Sequence, residues 1–135
     1  MEKIEDIREL VKVYLEKAEE KLRSAKVLLK EKFVDDAISR AYYSAFLSAK
    51  ALLLLLGSDV KTHSGLITMF NLKVVRGGLL PREIGRYLSE LFEARQTSDY
   101  SPISLFDIED AKEYIKKAEL LLSAVKEIIY KRIGV

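Results

Sequence analysis

The chain has 135 residues, of which 49% are hydrophobic, 23 are basic and 21 are acidic, so its formal net charge is only +2. This length fits one domain, residues 1–135, and the balanced charge does not indicate the basic face of a dedicated nucleic-acid binder. The lack of cysteine excludes disulfides and thiolate metal sites. With only 6 glycines and 2 prolines, the composition favours long helices over a turn-rich all-β fold.

Two features of the sequence bear on where the protein works. The charged N-terminus MEKIEDIREL lacks the apolar segment of a signal peptide, and the run ALLLLLG is far shorter than the roughly 20 residues of a membrane span. A cytoplasmic protein is therefore expected. A single asparagine and a single glutamine among 33% charged residues is a pattern typical of proteins from thermophiles.

The first half of the chain predicts two long helices. The first runs from about Glu2 to Lys32, with one apolar stripe at steps of three and four: Ile4, Ile7, Val11, Tyr14, Ala18, Leu22, Ala25 and Leu29. The second begins at Asp35 as N-cap and stops before Gly57 as the C′ residue. Its nearly continuous apolar surface predicts the most buried helix. Its small residues permit close helix approach: Ala41, Ser44, Ala45, Ser48 and Ala49.

The second half predicts one short helix and two long ones. After the loop SDVKTHSG, Thr62 or Ser64 caps a short helix that buries Leu66, Ile67, Phe70 and Val74. Gly77-Gly78 ends that segment. Pro81 fits the first turn of a fourth helix that continues to about Ser98, with an inward stripe of Ile84, Leu88, Leu91 and Phe92.

The fifth helix is predicted from Asp107, which suits its N-cap. Its apolar stripe consists of Ile108, Ala111, Ile115, Ala118, Leu122, Val125 and Ile129. Short connections make successive long helices antiparallel neighbours. The sequence therefore predicts an all-α protein: an up-and-down four-helix bundle with one additional short helix between helices 2 and 4.

Arg95 and Asp99 are the first candidate site residues. They are spaced i, i+4, so they share one helix face and can pair, and that face continues the stripe of Ile84, Leu88 and Leu91. One interpretation is a structural ion pair at the end of the bundle. The other is functional, because a half-buried arginine presents a planar fork suited to phosphate.

Further candidates lie in the second helix and in the loop after it. His63, the only histidine, and Lys61 precede the short helix, and the distance from His63 to Arg95 depends on the path of that helix. Arg40 lies beside Tyr42 and Tyr43. Tyr42 is in phase with the core, whereas Tyr43 is free to face another helix or a second subunit.

Several kinds of chemistry are not indicated. The sequence has no nucleophile–base arrangement, phosphate loop or dinucleotide fingerprint, and GGLLPREIG has the wrong spacing for one. No cofactor is expected. No metal site is expected either, because a lone histidine without cysteine supplies too few ligands.

The order of three motifs, RAYYSAF, KTHSG and R-x3-D-Y in LFEARQTSDY, resembles the HEPN superfamily over essentially the whole chain. The resemblance is to its small stand-alone proteins. It implies a helical bundle and commonly a homodimer. Many such proteins are toxins encoded beside a minimal nucleotidyltransferase of the MNT type, and others are metal-independent RNases.

The RNase members use an arginine followed four to six residues later by a histidine, R-x4-6-H, which meets its symmetry mate across the dimer. The resemblance places that arginine at Arg95. The chain departs from the motif afterwards, because the fifth following residue is Tyr100 and no histidine follows. A tyrosine that some related toxins carry two residues beyond the histidine corresponds to Pro102.

Three functions follow from the sequence as hypotheses. The first is a dimeric HEPN protein that binds a nucleotidyltransferase partner and the phosphate of a nucleotide or RNA, with a site drawn from Arg40, Tyr43, Lys61, His63, Arg95 and Asp99. The second is a divergent RNase toxin in which Arg95 acts with His63 or Tyr100. The third is a structural oligomerisation module.

Overall fold

Long apolar stripes at helical spacing give a protein that is helical almost throughout. The computed structural model describes residues 4–134, and side chains from residue 6 onward. Its elements within those residues are α1 (Ile4–Lys30), α2 (Val34–Leu55), α3 (His63–Phe70), a π-helical turn (Asn71–Val75) that continues α3, α4 (Arg82–Tyr100) and α5 (Ile108–Ile133). The predicted all-α helical bundle is confirmed.

The second helix occupies the centre of the bundle. It packs against α1, α4 and α5, and α5 in turn packs against α1 and α4, so that α1 and α4 lie at opposite corners. The short α3 packs on α2 and α4, as predicted. The five small α2 residues predicted to allow close packing are fully buried: Ala41, Ser44, Ala45, Ser48 and Ala49.

The contact between α1 and α2 is close enough for a side chain to reach the neighbouring backbone. The Ser44 hydroxyl, fully buried, donates a hydrogen bond to the Ala18 carbonyl oxygen at 2.8 Å. The Ser48 hydroxyl donates to the Ser44 carbonyl oxygen at 3.0 Å within α2. Both buried hydroxyls are therefore satisfied, and the space between the two helices has no room for a larger side chain at Ser44.

The start of α2 differs from its prediction. The helix begins at Val34, with Phe33 rather than Asp35 at the N-cap, and Asp35 lies in the first turn. The reason is that the Phe33 carbonyl accepts a hydrogen bond from the Ala37 amide at 2.9 Å, so the helical bonding pattern begins at Phe33 and not at Asp35. The predicted N-cap at Asp35 is wrong, although its carboxylate still suits the positive end of the helix dipole.

Most other helix boundaries lie within two residues of their predictions. The first helix ends at Lys30, because Lys32 adopts the left-handed region with φ 68°; its predicted start, Glu2, lies outside the described residues. Gly57 follows α2 with φ 90°, as expected of a C′ glycine. Pro81 occupies the N-cap of α4 rather than its first turn, and α4 extends to Tyr100. None of the described helices is long and apolar enough to cross a membrane.

Asp107 caps α5 as predicted. Its side chain accepts the Asp110 amide at 2.8 Å, and the Asp110 carboxylate accepts the Asp107 amide at 3.0 Å, which completes a capping box. These two bonds satisfy amide groups that the helix itself leaves without partners.

Loss of the Asp107 cap is expected to cost more than loss of Asp35. Asp107→Ala should lower the free energy of unfolding by about 1 kcal/mol, because the side chain caps the helix directly. Asp35→Ala should cost about 0.5 kcal/mol, because that carboxylate interacts with the helix dipole and accepts only a long, exposed hydrogen bond from Ser104 at 3.3 Å. Urea denaturation of both variants measures the difference; equal losses would contradict the observed cap assignment.

Candidate functional site

His63 lies where α2, α3 and α4 meet. Thr62 is the N-cap of α3, with its side chain accepting the Gly65 amide at 3.0 Å, so His63 becomes the first residue of the helix. Its ring centroid is 4.5 Å from that of Phe46 on α2. The ring of Phe92 on α4 lies 6.3 Å away and almost parallel, at 16°. An aromatic enclosure therefore fixes the imidazole.

Tyr42 holds one nitrogen of this imidazole. The tyrosine is fully buried, and its hydroxyl oxygen lies 2.5 Å from His63 Nδ1 in a hydrogen bond. Burial raises the pKa of Tyr42 well above its usual value, and the nearby Arg95 charge opposes this only in part. The phenol therefore keeps its proton at neutral pH and can donate it to Nδ1.

Arg95 reaches the same two tyrosines from α4. Its guanidinium carbon lies 5.7 Å from the ring centroid of Tyr42 and 5.1 Å from that of Tyr43, both within cation–π range. The predicted pair with Asp99 is present, with Nε 3.0 Å from the Asp99 Oδ2 atom. The structure thus brings His63 and Arg95 together on shared aromatic neighbours, which the sequence left open.

The Arg95–Asp99 pair leaves hydrogen-bonding capacity unused. The contact is close, but its N–H direction falls outside hydrogen-bond geometry, so the buried Nε has no hydrogen-bond partner among the described residues. The buried Ser98 hydroxyl, about one turn further along α4, is likewise without one. Buried polar groups are rarely left unpaired, so these two atoms are exceptions; both are shielded from solvent and are not themselves contacts for a ligand.

His63 contributes a hydrogen-bond donor close to Arg95. Burial lowers the pKa of His63 below 6.5, and the Arg95 charge lowers it further, so the ring is neutral at pH 7. With Tyr42 donating to Nδ1, the ring proton of the neutral form resides on Nε2. His63 and Arg95 therefore both present N–H donors, an arrangement suited to an anion with several oxygens.

The lowered pKa of His63 predicts a pH-dependent stability. The folded state binds its proton less readily than the unfolded chain, whose histidine titrates near 6.5. The contribution is therefore intact above pH 6.5 and is lost as pH falls through the folded-state pKa. Melting temperatures are measured for wild type and His63→Gln between pH 8 and pH 5. The melting temperature of wild type should fall relative to that of the variant as the pH is lowered. Parallel curves would contradict the shift.

Lys61 and Tyr100 lie apart from the cluster that His63 and Arg95 form with their aromatic neighbours. The Lys61 side chain is 84% exposed and pairs with Asp59 at 3.7 Å, although it is only two residues from His63. Tyr100, at the end of α4, is 82% exposed and makes no hydrogen bond or ring contact with His63 or Arg95 in the described structure. Sequence proximity does not bring either side chain into the cluster.

Arg40 and Tyr43 lie about one turn apart on α2. Arg40 is exposed, and its Nη1 donates to the Ser24 hydroxyl of α1 at a long 3.5 Å. Both residues line a surface groove between α1 and α2. Tyr43 thus faces Arg95 with its ring and also borders this groove, whereas Arg40 belongs to the groove alone.

Sequence reasoning missed what three aromatic residues contribute to the cluster. The helical phase assigns Tyr42 to the core, which is correct, but its hydroxyl end reaches His63. Phe46 and Phe92 stack on the imidazole from two helices. The i, i+4 spacing of Tyr42 and Phe46 is the available signal, since it places both rings on one face of α2. No set of three metal-ligating side chains occurs within the described residues.

The class of protein is an all-α helical bundle in which an arginine and a histidine share aromatic neighbours, and comparison with known families gives the assignment. The model of the HEPN domain matches residues 11–128, so the chain belongs to the HEPN family. A crystal structure of a protein from Thermus thermophilus has the same fold, with a TM-score of 0.74 and 22% identity over 87% of this chain and 96% of that one.

Two relatives match over nearly their full length. A UPF0332 protein of Thermotoga maritima is 36% identical over 120 residues, which are 89% of this chain and 91% of the relative. A protein of Methanocaldococcus jannaschii that bears the name "Putative toxin" is 38% identical over 124 residues, 92% of each chain.

Proposed function

We propose that this HEPN protein is the toxin component of a toxin–antitoxin-like pair and that it binds the phosphate of a nucleotide or RNA between Arg95 and His63. The proposal includes a homodimer and a minimal nucleotidyltransferase as the protein partner. The name of the M. jannaschii relative supports the toxin role. The family resemblance of the KTHSG and R-x3-D-Y motifs supports the dimer and the partner.

One observation supports the phosphate site: Arg95 of α4 and His63 of α3 share Tyr42 and Tyr43 as neighbours, so donors from two helices lie against the same two rings. Arg95 has only Asp99 as an ionic partner within the described chain, and that contact is made through the buried Nε, which leaves the two terminal nitrogens for a ligand. His63 is held by Tyr42 through Nδ1, so Nε2 remains available. Phosphate oxygens accept several such bonds at once, and a guanidinium binds them in a fork.

A pair of ligands that differ only in phosphate tests the site. Calorimetric titration with uridine monophosphate (UMP) should give saturable heat, whereas uridine should give none at the same concentrations. Tyr100→Phe should bind UMP as wild type does, since Tyr100 lies apart from the cluster. Equal binding of uridine and UMP would show that phosphate is not what the site recognises.

The cellular role needs a separate experiment. Induced expression of the protein should slow growth, and co-expression of the proposed minimal nucleotidyltransferase partner should restore it. Arg95→Lys should remove the growth defect at an equal protein level. Sedimentation equilibrium of the purified protein measures the dimer. Growth unaffected by the folded wild type would reject the toxin role and leave the structural module as the better explanation.

The second candidate function is metal-independent RNA cleavage, and the neutral His63 beside Arg95 favours it. General-base action at Nε2 requires the other tautomer, in which Nδ1–H donates to the Tyr42 oxygen. Labelled RNA incubated in EDTA separates the two functions. Cleavage that both His63→Gln and Arg95→Lys abolish would establish the RNase; intact RNA under conditions that saturate binding would assign a binding role.

A further inference from the structure

A basic groove runs between α1 and α2 and borders Tyr43. It has a volume of about 440 Å³ and is lined by Tyr14, Lys17, Lys21, Arg40, Tyr43 and Leu47. Three of its six lining residues are cationic and none is acidic. Two are tyrosines, so the groove combines positive charge with aromatic surface.

The cations of the groove are not neutralised by the protein. Lys17 and Lys21 are spaced i, i+4 on α1, where like charges repel and destabilise a helix. No described carboxylate lies within ion-pair distance of either lysine or of Arg40. By contrast, Lys12, Lys26 and Lys126 all have carboxylate partners within the described structure. Three cations around a concave surface focus a positive potential there, and this potential attracts an anionic ligand.

Tyr43 connects the groove to the Arg95–His63 site. Its ring borders the groove, and its centroid lies 5.1 Å from the guanidinium carbon of Arg95 and 6.2 Å from the His63 ring centroid. The two cationic sites are therefore separated by one aromatic ring, and a single nucleic-acid strand can place phosphates in both. Aromatic rings between cationic contacts are how proteins hold single strands, because bases stack on the rings while phosphates meet the cations.

We infer that the groove of Lys17, Lys21 and Arg40 is a second binding site, which binds the phosphodiester backbone of a single-stranded RNA. Another phosphate of the same strand then lies between Arg95 and His63. The inference rests on the proposed phosphate site and narrows its ligand class. The ligand is an oligonucleotide that spans both sites, with a base against Tyr43, rather than a mononucleotide.

A triple variant that removes the groove charges tests the inference. Lys17→Gln, Lys21→Gln and Arg40→Gln are combined in the full chain, and binding of UMP and of an oligouridylate octamer is measured by fluorescence anisotropy and calorimetry over a range of salt concentrations. The matched control combines Arg82→Gln, Lys116→Gln and Arg132→Gln. Those three residues are exposed, make no ion pair in the described structure, and remove the same total charge.

The groove variant should bind the octamer at least about tenfold more weakly and bind UMP as wild type does. Each phosphate contact on a single strand adds about 0.7 to the salt slope, so the slope of log K against log salt should fall by about 2. The control triple should leave both affinities and the slope unchanged. Equal effects of the two triples, or an unchanged slope in the groove variant, would overturn the inference.

Arg95→Lys separates this inference from the proposed function. If Arg95→Lys weakens UMP while the groove triple leaves the octamer unaffected, the phosphate site stands and the groove is rejected. If Arg95→Lys has no effect on UMP while the groove triple weakens the octamer, the groove binds the strand by itself, and both the Arg95–His63 site and the strand that spans the two sites are rejected. A wild type that binds neither ligand overturns both.

Discussion

Replacing Arg95 with lysine is expected to weaken UMP binding by at least about tenfold, although the positive charge is retained. The guanidinium lies 5.7 and 5.1 Å from the rings of Tyr42 and Tyr43, and its planar fork can bond two phosphate oxygens at once. A lysine ammonium supplies neither the fork nor the planar stacking. Loss of one charge-assisted hydrogen bond is worth about 1.5 kcal/mol or more, and about 1.4 kcal/mol corresponds to a tenfold change in affinity.

Arg86→Lys is the matched control for that experiment. Arg86 lies on the same helix and has a carboxylate partner at the same spacing, Glu90 at 3.9 Å, but its side chain is 64% exposed. The control should bind UMP as wild type does. Urea denaturation of the Arg95 variant accompanies the titration. An Arg95→Lys protein that is fully folded and binds UMP normally would contradict the assignment of Arg95 to the site.

Ser44→Leu is expected to be among the most destabilising single changes in the chain, lowering the free energy of unfolding by about 3 kcal/mol. Ser44 is fully buried at the α1–α2 contact, and its hydroxyl donates to the Ala18 carbonyl at 2.8 Å. Leucine overfills that contact and also removes the donor. Ser44→Ala should cost only about 1 kcal/mol, because it loses the hydrogen bond without adding volume.

Ser123→Leu is the control for the size effect. Ser123 is exposed on α5, so the same substitution should change the free energy of unfolding by no more than about 0.5 kcal/mol. Urea denaturation, fitted with one common m-value, measures the free energy of unfolding of all three variants. If Ser44→Leu were tolerated as well as Ser123→Leu, the helices would not approach as closely as the structure indicates.

The helices are predictable from the sequence because local rules and burial agree along most of the chain. The small residues of α2 predict a close helix contact, and the hydrogen bond from Ser44 to Ala18 shows how close it is. The Asp107 cap follows from residue type alone. The predicted Asp35 cap is wrong, because the turn after α1 fixes Phe33 as the first carbonyl acceptor. That turn includes a left-handed Lys32, which no residue preference indicates.

The candidate site is predictable only in parts. The spacing of Arg95 and Asp99 predicts their pairing, since i, i+4 residues share a helix face. The meeting of His63 with Arg95 depends instead on how α3 returns across α2 and α4, which is tertiary information. The π-helical turn after α3 has no sequence signal either. It lies beside Gly85 of α4, where a Cβ would come within 2.5 Å of the Asn71 Oδ1 atom. That contact is invisible to helical periodicity.

The placement of His63 on a short helix has a consequence for any measured affinity. The helix α3 has eight residues and packs on α2 and α4 through the fully buried Leu66 and Phe70, so its docking on the bundle is what keeps His63 beside Arg95. Opening of α3 would carry the imidazole away from Arg95, which stays on the longer α4. A phosphate ligand then binds only the closed population, and its apparent dissociation constant equals the intrinsic one divided by that fraction. Changes that stabilise α3 therefore tighten binding without touching the ligand.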